Sequence, residues 1–263
     1  MELDGTTLQG QMPNQLEGGW LDRARTEVGP YPSKAVRTTL HSKLPLSWRG
    51  ESPVVPAFTE RQRQQLPLKR GLDIFVSATA LLLLSPVLAL IALATALGSK
   101  GGVFFRQPRL GKDGQLFTIY KFRTMYVDRG DLTGVNQTID GDPRVTPLGR
   151  YLRRTSLDEL PQLINILKGD MSLVGPRPHV PHMLAGGKAY EQLVPYYDLR
   201  LRVRPGLSGW AQVNNLRGAT TDPVRARARI DHDIAYAQNF SIWLDVKIVW
   251  MTISQEWWRL GGH

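Results

Sequence analysis

From Ile74 to Ser99 the chain runs 26 residues without a charged side chain, and Ile74–Leu97 is almost wholly apolar. That length meets the requirement for a membrane helix, about 20 residues. A helix of a water-soluble domain ordinarily carries a polar face over such a distance. Ser85-Pro86 falls in the middle of the run. Proline removes a backbone donor and crowds the preceding turn, so a kink or break is expected there. Each half, Ile74–Leu84 and Val87–Leu97, would then reach roughly 16 Å, about half the ~30 Å hydrocarbon layer. Basic residues flank both ends: Arg61, Arg63, Lys69 and Arg70 before, Lys100, Arg106, Arg109 and Lys112 after. Such residues favour the cytoplasmic side. Both flanks satisfy that preference when the segment enters and leaves by one face, so a re-entrant helix–break–helix fits better than a span. A spanning helix with a proline remains the other reading.

Residues 1–60 have another character. Six basic and seven acidic side chains are scattered among Gly and Pro, with no sustained apolar period. A mostly disordered tail is expected, Val54–Phe58 being too short for a core. Its start lacks a basic segment followed by an apolar one, so no secretory signal is expected. Residues 61–100 form the basic flank and membrane segment, and 101–263 a mixed domain. Over the whole chain, 33 Lys+Arg against 23 Asp+Glu give a net charge of +10, which favours phosphate-bearing partners. Cysteine is absent, which excludes disulfides, thiolate metal sites and cysteine nucleophiles.

Within 101–263, Val103–Phe105 and Leu116–Tyr120 read as strands around an Arg106–Gly114 loop. Residues 126–146 read as a polar, glycine-bearing loop. Leu157, Leu160, Ile164 and Leu167 recur at helical spacing, and Pro161 puts the helix start near Ser156–Asp158. Lys168-Gly169 ends it. Val174–Pro178 is rigid and non-helical, and Arg204–Trp210 is a loop. Asp222-Pro223 opens a helix through about Gln238. In Ile242–Leu260, Trp243, Trp250 and Trp257 are seven apart and share one face. That face suits either core packing or a helix lying at a membrane interface.

The densest polar cluster is Arg150, Arg153, Arg154, Ser156, Asp158 and Glu159. An Asp-Glu pair alone is ordinarily a solvated helix start. Here three arginines precede it, and guanidinium groups bind phosphate oxygens bidentately. Once phosphate charge is neutralised, one carboxylate can attack phosphorus and a second can hold Mg²⁺. Arg177, Arg202 and Arg204 sit in Gly/Pro loops, where sites are commonly carried. The histidines lack metal-ligand spacing, and no Walker, Gly-x-Ser-x-Gly or dinucleotide fingerprint is present.

Six stretches in order carry a resemblance: Lys69-Arg70-Gly71-Leu72-Asp73, Ser85-Pro86, Tyr120–Met125, Ser156–Leu163, Leu167–Pro178 and Arg204–Val213. From about Leu68 to Thr252 the chain resembles the bacterial sugar transferases, also called monotopic phosphoglycosyl transferases. The resemblance implies transfer of a sugar-1-phosphate from a UDP-sugar, commonly UDP-glucose or UDP-galactose, to polyprenyl (undecaprenyl) phosphate. UMP is released, as the first step of exopolysaccharide or glycan assembly. It implies Asp158 as the nucleophile of a covalent intermediate and Glu159 as its partner, the pair holding Mg²⁺. Arg153 and Arg177, with Arg154 and Arg204, would hold substrate phosphate, and Ser85-Pro86 would be the membrane break.

The fold class so implied is mixed α/β and mainly helical. It is a monotopic membrane protein with a cytosolic catalytic domain of helices and short strands, at the bacterial cytoplasmic (inner) membrane. Membrane lipid is the implied environment, a homodimer is compatible, and no nucleic-acid motif appears. Residues 1–60 lie outside the family core, and a multi-span domain of larger members is not expected. Two rivals remain at the level of sequence: a basic, membrane-anchored binding protein, and a glycosyltransferase that releases UDP.

Overall fold

The uncharged stretch lies inside one long helix, α1 (Glu60–Gly98). The computed structural model describes residues 44, 46–49, 52–55, 57–129, 141–218 and 221–261, all within the unit Tyr31–His263. Thr59 starts α1 with a capping box: its side chain accepts from the Gln62 amide, and the Gln62 side chain accepts from the Thr59 amide. The helix has 39 residues, so it is about 58 Å long. Among the described residues it is the one helix long and apolar enough to cross a membrane.

The expected helix–break–helix is a single element in the structure, because α1 runs on through Pro86. Proline denies the Leu82 carbonyl its usual amide partner. The Ser85 hydroxyl donates to that carbonyl at 2.8 Å instead. Serine thus supplies the hydrogen bond that proline removes, which an apolar setting demands.

α1 has two unlike faces. Asp73, Ser77, Ile91 and Thr95 are buried, and Ala80, Leu81, Leu88 and Ala92 pack beside them against the domain. On the opposite side Phe75, Leu82, Leu83, Leu90, Leu93 and Leu97 are exposed. An apolar row of that length requires a non-aqueous cover. The inner face is fixed near both ends. Lys69 donates to Asp245 (2.6 Å) and the Val174 carbonyl (3.1 Å), and Asp73 accepts from Ser172 and Leu173. Thirty residues on, Arg123 donates to the carbonyls of Thr95, Ser99 and Gly102, satisfying the open C-terminal end of the helix.

Strands β1 (Phe104–Leu110) and β2 (Leu116–Phe122) pair antiparallel, from Phe104↔Phe122 to Leu110↔Leu116. Residues 106–110, expected in a loop, are therefore strand. A two-stranded ribbon consists of edges only, so it tolerates Pro108 opposite Thr118. Next come α2 (Pro147–Arg154), capped by Thr146, a 3₁₀ turn (Leu157–Glu159) and α3 (Gln162–Lys168), which Gly169 ends at φ +94°. Strand β3 (Ser172–Val174) pairs in parallel with β4 (Gly206–Ser208). Helix α4 (Pro223–Asn239) is capped by Asp222, as its Asp-Pro start predicts, and α5 (Ile242–Gly261) follows.

The cores lie between these elements. Tyr190, Tyr197, Ile230 and Ile234 fill one; Trp210, Tyr236, Phe240 and Ile248 fill another. Helix α5 contributes Leu244 and Ile248 to the second and turns its indoles outward. Trp243, Trp250 and Trp257 are 79%, 69% and 76% exposed, so that stripe is not core.

The expected tail is only partly described, and residues 1–43 lie outside the described residues. Nearer the helix, Trp48–Arg49 and Ser52–Pro53 pair as a short hairpin. Leu46 and Val55 pack on the first core, and Phe58 meets Phe240 edge-on at 6.3 Å. The folded unit thus extends upstream of residue 60. Of the expected 126–146 loop, residues 130–140 lie outside the described residues, and Met125 and Val145 bridge across its base.

Candidate active site

Strand β2 carries the first cation of the site, Lys121. Asn165 of α3 stitches itself to this strand, accepting from the Tyr120 amide (3.0 Å) and donating to the Thr118 carbonyl (2.7 Å). Helix α2 arrives from the other side. A Cβ on Gly149 would stand 2.1 Å from the Thr124 carbonyl oxygen, so only glycine permits this approach. The approach lets Arg153 Nε donate to Thr124 Oγ1 at 2.8 Å.

Between α2 and the next turn, Ser156 adopts φ +57°, ψ +12°. A left-handed serine costs of order 1–3 kcal/mol, which the surrounding packing has to hold in place. The reversal is followed by Leu157, which packs with Ile91, Phe122 and Leu152. The adjacent pair Asp158-Glu159 thereby follows directly on a residue anchored in the cluster that joins α1, β2 and α2.

The two carboxylates have opposite surroundings. Glu159 accepts from Lys121 Nζ at 2.7 Å and from Arg177 through both of its oxygens, at 2.5 and 3.1 Å. Burial alone would raise its pKa, yet Arg177 and Lys121 hold it well below the ordinary carboxylate range. Asp158 is buried, but its carboxylate accepts no hydrogen bond among the described residues. Burial dominates and pushes this carboxyl up to about 6, against the opposing pull of Lys121, Arg153 and Arg177 and with the push of Glu159. One member of the pair is a fixed anion. The other is a proton-exchanging group with oxygens open to a ligand.

Arg177 is held from behind. A Cβ on Gly175 would stand 2.2 Å from the Arg204 carbonyl oxygen, so the Gly-Pro-Arg-Pro and Arg-Pro-Gly loops can close on each other only with glycine there. Arg200 donates to the Arg177 carbonyl (2.6 Å) and is itself paired with Asp233 at 2.8 Å, both side chains fully buried. Arg109 donates to the Pro178 carbonyl at 3.2 Å.

The expected residues separate into two groups. Asp158, Glu159, Arg153 and Arg177 come together. Arg154 is exposed and makes no hydrogen bond or ion pair among the described residues. Arg204 lies elsewhere: it donates to the Gly169 carbonyl, while Arg70 donates to those of Ile166 and Leu167, and the two cap the C-terminus of α3. In the sequence Lys121 and Thr124 stand out only as parts of the Tyr120–Met125 motif. A lysine between Tyr120 and Phe122 in an otherwise uncharged strand is the signal that marks the first. Nothing in the sequence marks Thr124.

As a place for Mg²⁺ the site is lopsided. Among the described residues no three acidic or histidine side chains converge. Asp158 has oxygens to offer, and Mg²⁺ commonly binds one or two carboxylates together with substrate phosphates. Both Glu159 oxygens are already committed to cations.

A carboxyl pair on a 3₁₀ turn, with Lys121, Arg153 and Arg177 around it, stands in a domain that also carries a helix long and apolar enough to cross a membrane. The comparisons make this specific. The family model described as "Bacterial sugar transferase" matches residues 64–259, and the chain belongs to that family. It is 51% identical over 197 residues to the exopolysaccharide production protein PSS of Rhizobium leguminosarum bv. phaseoli, covering 75% of this chain and 98% of that one. It is 47% identical over 215 residues to the UDP-glucose:undecaprenyl-phosphate glucose-1-phosphate transferase of Escherichia coli (strain K12), covering 81% of this chain and 45% of that one. With the like-named protein of Caulobacter vibrioides the identity is 49% over 185 residues, 70% of this chain and 68% of the relative. The chain thus spans nearly all of the first relative and less than half of the second.

Proposed function

We propose that this chain transfers a sugar-1-phosphate from a UDP-sugar to undecaprenyl phosphate, with Asp158 as a covalent nucleophile. The observation that carries the reading is the contrast within the pair: a buried, unbonded Asp158 beside a Glu159 locked between Lys121 and Arg177. A nucleophile has to be free to attack, and surrounding cations have to meet phosphate charge. In the first step an Asp158 oxygen attacks the phosphorus that bears the sugar. The bond from that phosphorus to the bridging oxygen breaks, and UMP leaves with that oxygen. In the second step an oxygen of the acceptor phosphate attacks the same phosphorus, and the aspartyl carboxylate is restored. Arg153 and Arg177 neutralise the donor's phosphates; Lys121 and Arg177 keep Glu159 ionised and fixed. When bound, Mg²⁺ would supply further neutralisation of the diphosphate, held by Asp158 and phosphate oxygens. Glucose is the donor sugar that the names of the relatives favour.

The same reading places the domain on the cytoplasmic face of the inner membrane, with both ends of the continuous helix α1 on that face. In support, α1 is bonded to the domain near both ends and packs on it in between. Tags placed at both ends of α1 should be labelled from one side in oriented vesicles; labelling from opposite sides would refute the topology. For the chemistry, the protein is mixed with UDP-glucose labelled in the sugar and no acceptor. Label bound to Asp158 with release of UMP is expected. Continued turnover without bound label, or release of UDP, would overturn the mechanism.

A further inference from the structure

We propose that the cleft at the base of α1 is a second phosphate site, which holds the headgroup of an anionic membrane phospholipid. This cleft has a volume of about 470 Å³ and is lined by Arg63, Lys69, Arg70, Lys112, Arg202 and Arg204, with Asp73 the one carboxylate on its wall. Its remaining wall is largely apolar and includes Phe58, Leu66, Tyr236 and Phe240.

The cations fall into two classes. Lys69 and Arg70 are committed to Asp245 and to the carbonyls that end α3. Arg202 is exposed and has no partner among the described residues. Among the described residues Arg63 uses only Nε, to the Phe58 carbonyl, and Arg204 only Nε, to the Gly169 carbonyl. Lys112 has a loose pairing with Asp113 at 3.7 Å. Among the described residues three guanidinium groups thus keep their paired N–H edges open, the edges that match phosphate oxygens.

Position identifies the source of the phosphate. The lining residues of α1 end at Asp73, and the uncharged stretch begins at Ile74. The cleft therefore lies where the helix passes from water into hydrocarbon, the level of lipid phosphates. Arginine and lysine side chains reach that level while their stems stay on apolar surface. The site is separate from the Asp158 pair and does not depend on the proposed reaction. It fixes how deep and at what tilt the base of α1 is seated.

The test uses the full chain in a neutral detergent, with lipid binding followed by native mass spectrometry. Dioleoyl phosphatidylglycerol, phosphatidylcholine and inorganic phosphate are the probes, and Arg63→Gln/Arg202→Gln is the variant. Both side chains are on the surface, so the fold should persist; Arg63→Lys/Arg202→Lys should retain most of the binding. The expected result is preferential retention of phosphatidylglycerol, reduced roughly tenfold in the Gln variant and not displaced by inorganic phosphate. Equal retention of both lipids, or unchanged retention by the Gln variant, overturns the proposal. Displacement by millimolar inorganic phosphate also overturns it, since the site would then be one for a soluble phosphate. Label transfer to Asp158 from donor alone should survive in the Gln variant, so failure here and failure of the proposed mechanism are distinguishable.

Discussion

Two buried clusters in this protein pair acids with arginines, and they differ in one respect. Around Asp233 the acid has a direct partner: Arg200 closes on it at 2.8 Å and donates onward to the Arg177 carbonyl. Around Asp158 and Glu159, the cations go to Glu159 and leave Asp158 with none in hydrogen-bond reach. Direct pairing of acid with base makes a strut. Incomplete pairing leaves a group whose charge is costly in the folded state and available to a substrate. On the proposed function, the difference separates a structural charge cluster from a reactive one.

The sharpest way to break this comparison is Asp158→Asn. Turnover should be abolished, and the melting temperature should hold or rise, because the substitution removes a buried charge without deleting a hydrogen bond. Residual turnover near the native rate, or marked destabilisation, would put Asp158 with the struts. Asp233→Ala should do the opposite, losing about 3–5 kcal/mol in denaturant unfolding because Arg200 stays buried without its partner. A stable variant would mean that the Arg200–Asp233 pair is not a strut.

The next effect is on pH. The Asp158 carboxyl is raised to about 6, chiefly by burial, and attack requires the ionised form. The profile of kcat/KM should therefore fall as pH drops through about 6, the free-enzyme value. Lys121 is the strongest influence pulling that pKa down, so Lys121→Met should move the acidic limb to higher pH. A limb that stays in place would show that another group governs it. The smallest effect belongs to Thr124→Val, which removes the hydroxyl that orients Arg153. A loss of about 1 kcal/mol in donor kcat/KM is expected, and an unchanged value would leave Arg153 positioned by α2 alone.

The helices and the acid pair were readable because their signals are local. Asp222-Pro223 announces a cap, Gly169 a helix end, and 26 residues without charge a segment for an apolar medium. The family stretches pointed to Asp158, Glu159, Arg153 and Arg177 together. Arg204 shows the limit of that reading. It stands in as suggestive a Gly/Pro loop as Arg177, yet it caps α3 and lines the cleft at the base of α1. The Ser85-Pro86 pair was read as a break because proline is considered residue by residue, whereas the neighbouring serine supplies the missing hydrogen bond.

By itself, the sequence determined that this protein carries an apolar helix, an arginine-flanked acid pair and a net positive charge, since each follows from side-chain chemistry within a few turns of chain. Only the tertiary structure decided which acid is locked and which is free. That choice depends on Lys121 and Arg177 arriving from 38 and 18 residues away. It also depends on glycines at 149 and 175 that let backbones approach closely enough to deliver Arg153 and Arg177. Hydrogen bonds act over about 3 Å, and which groups come within that distance is set by packing.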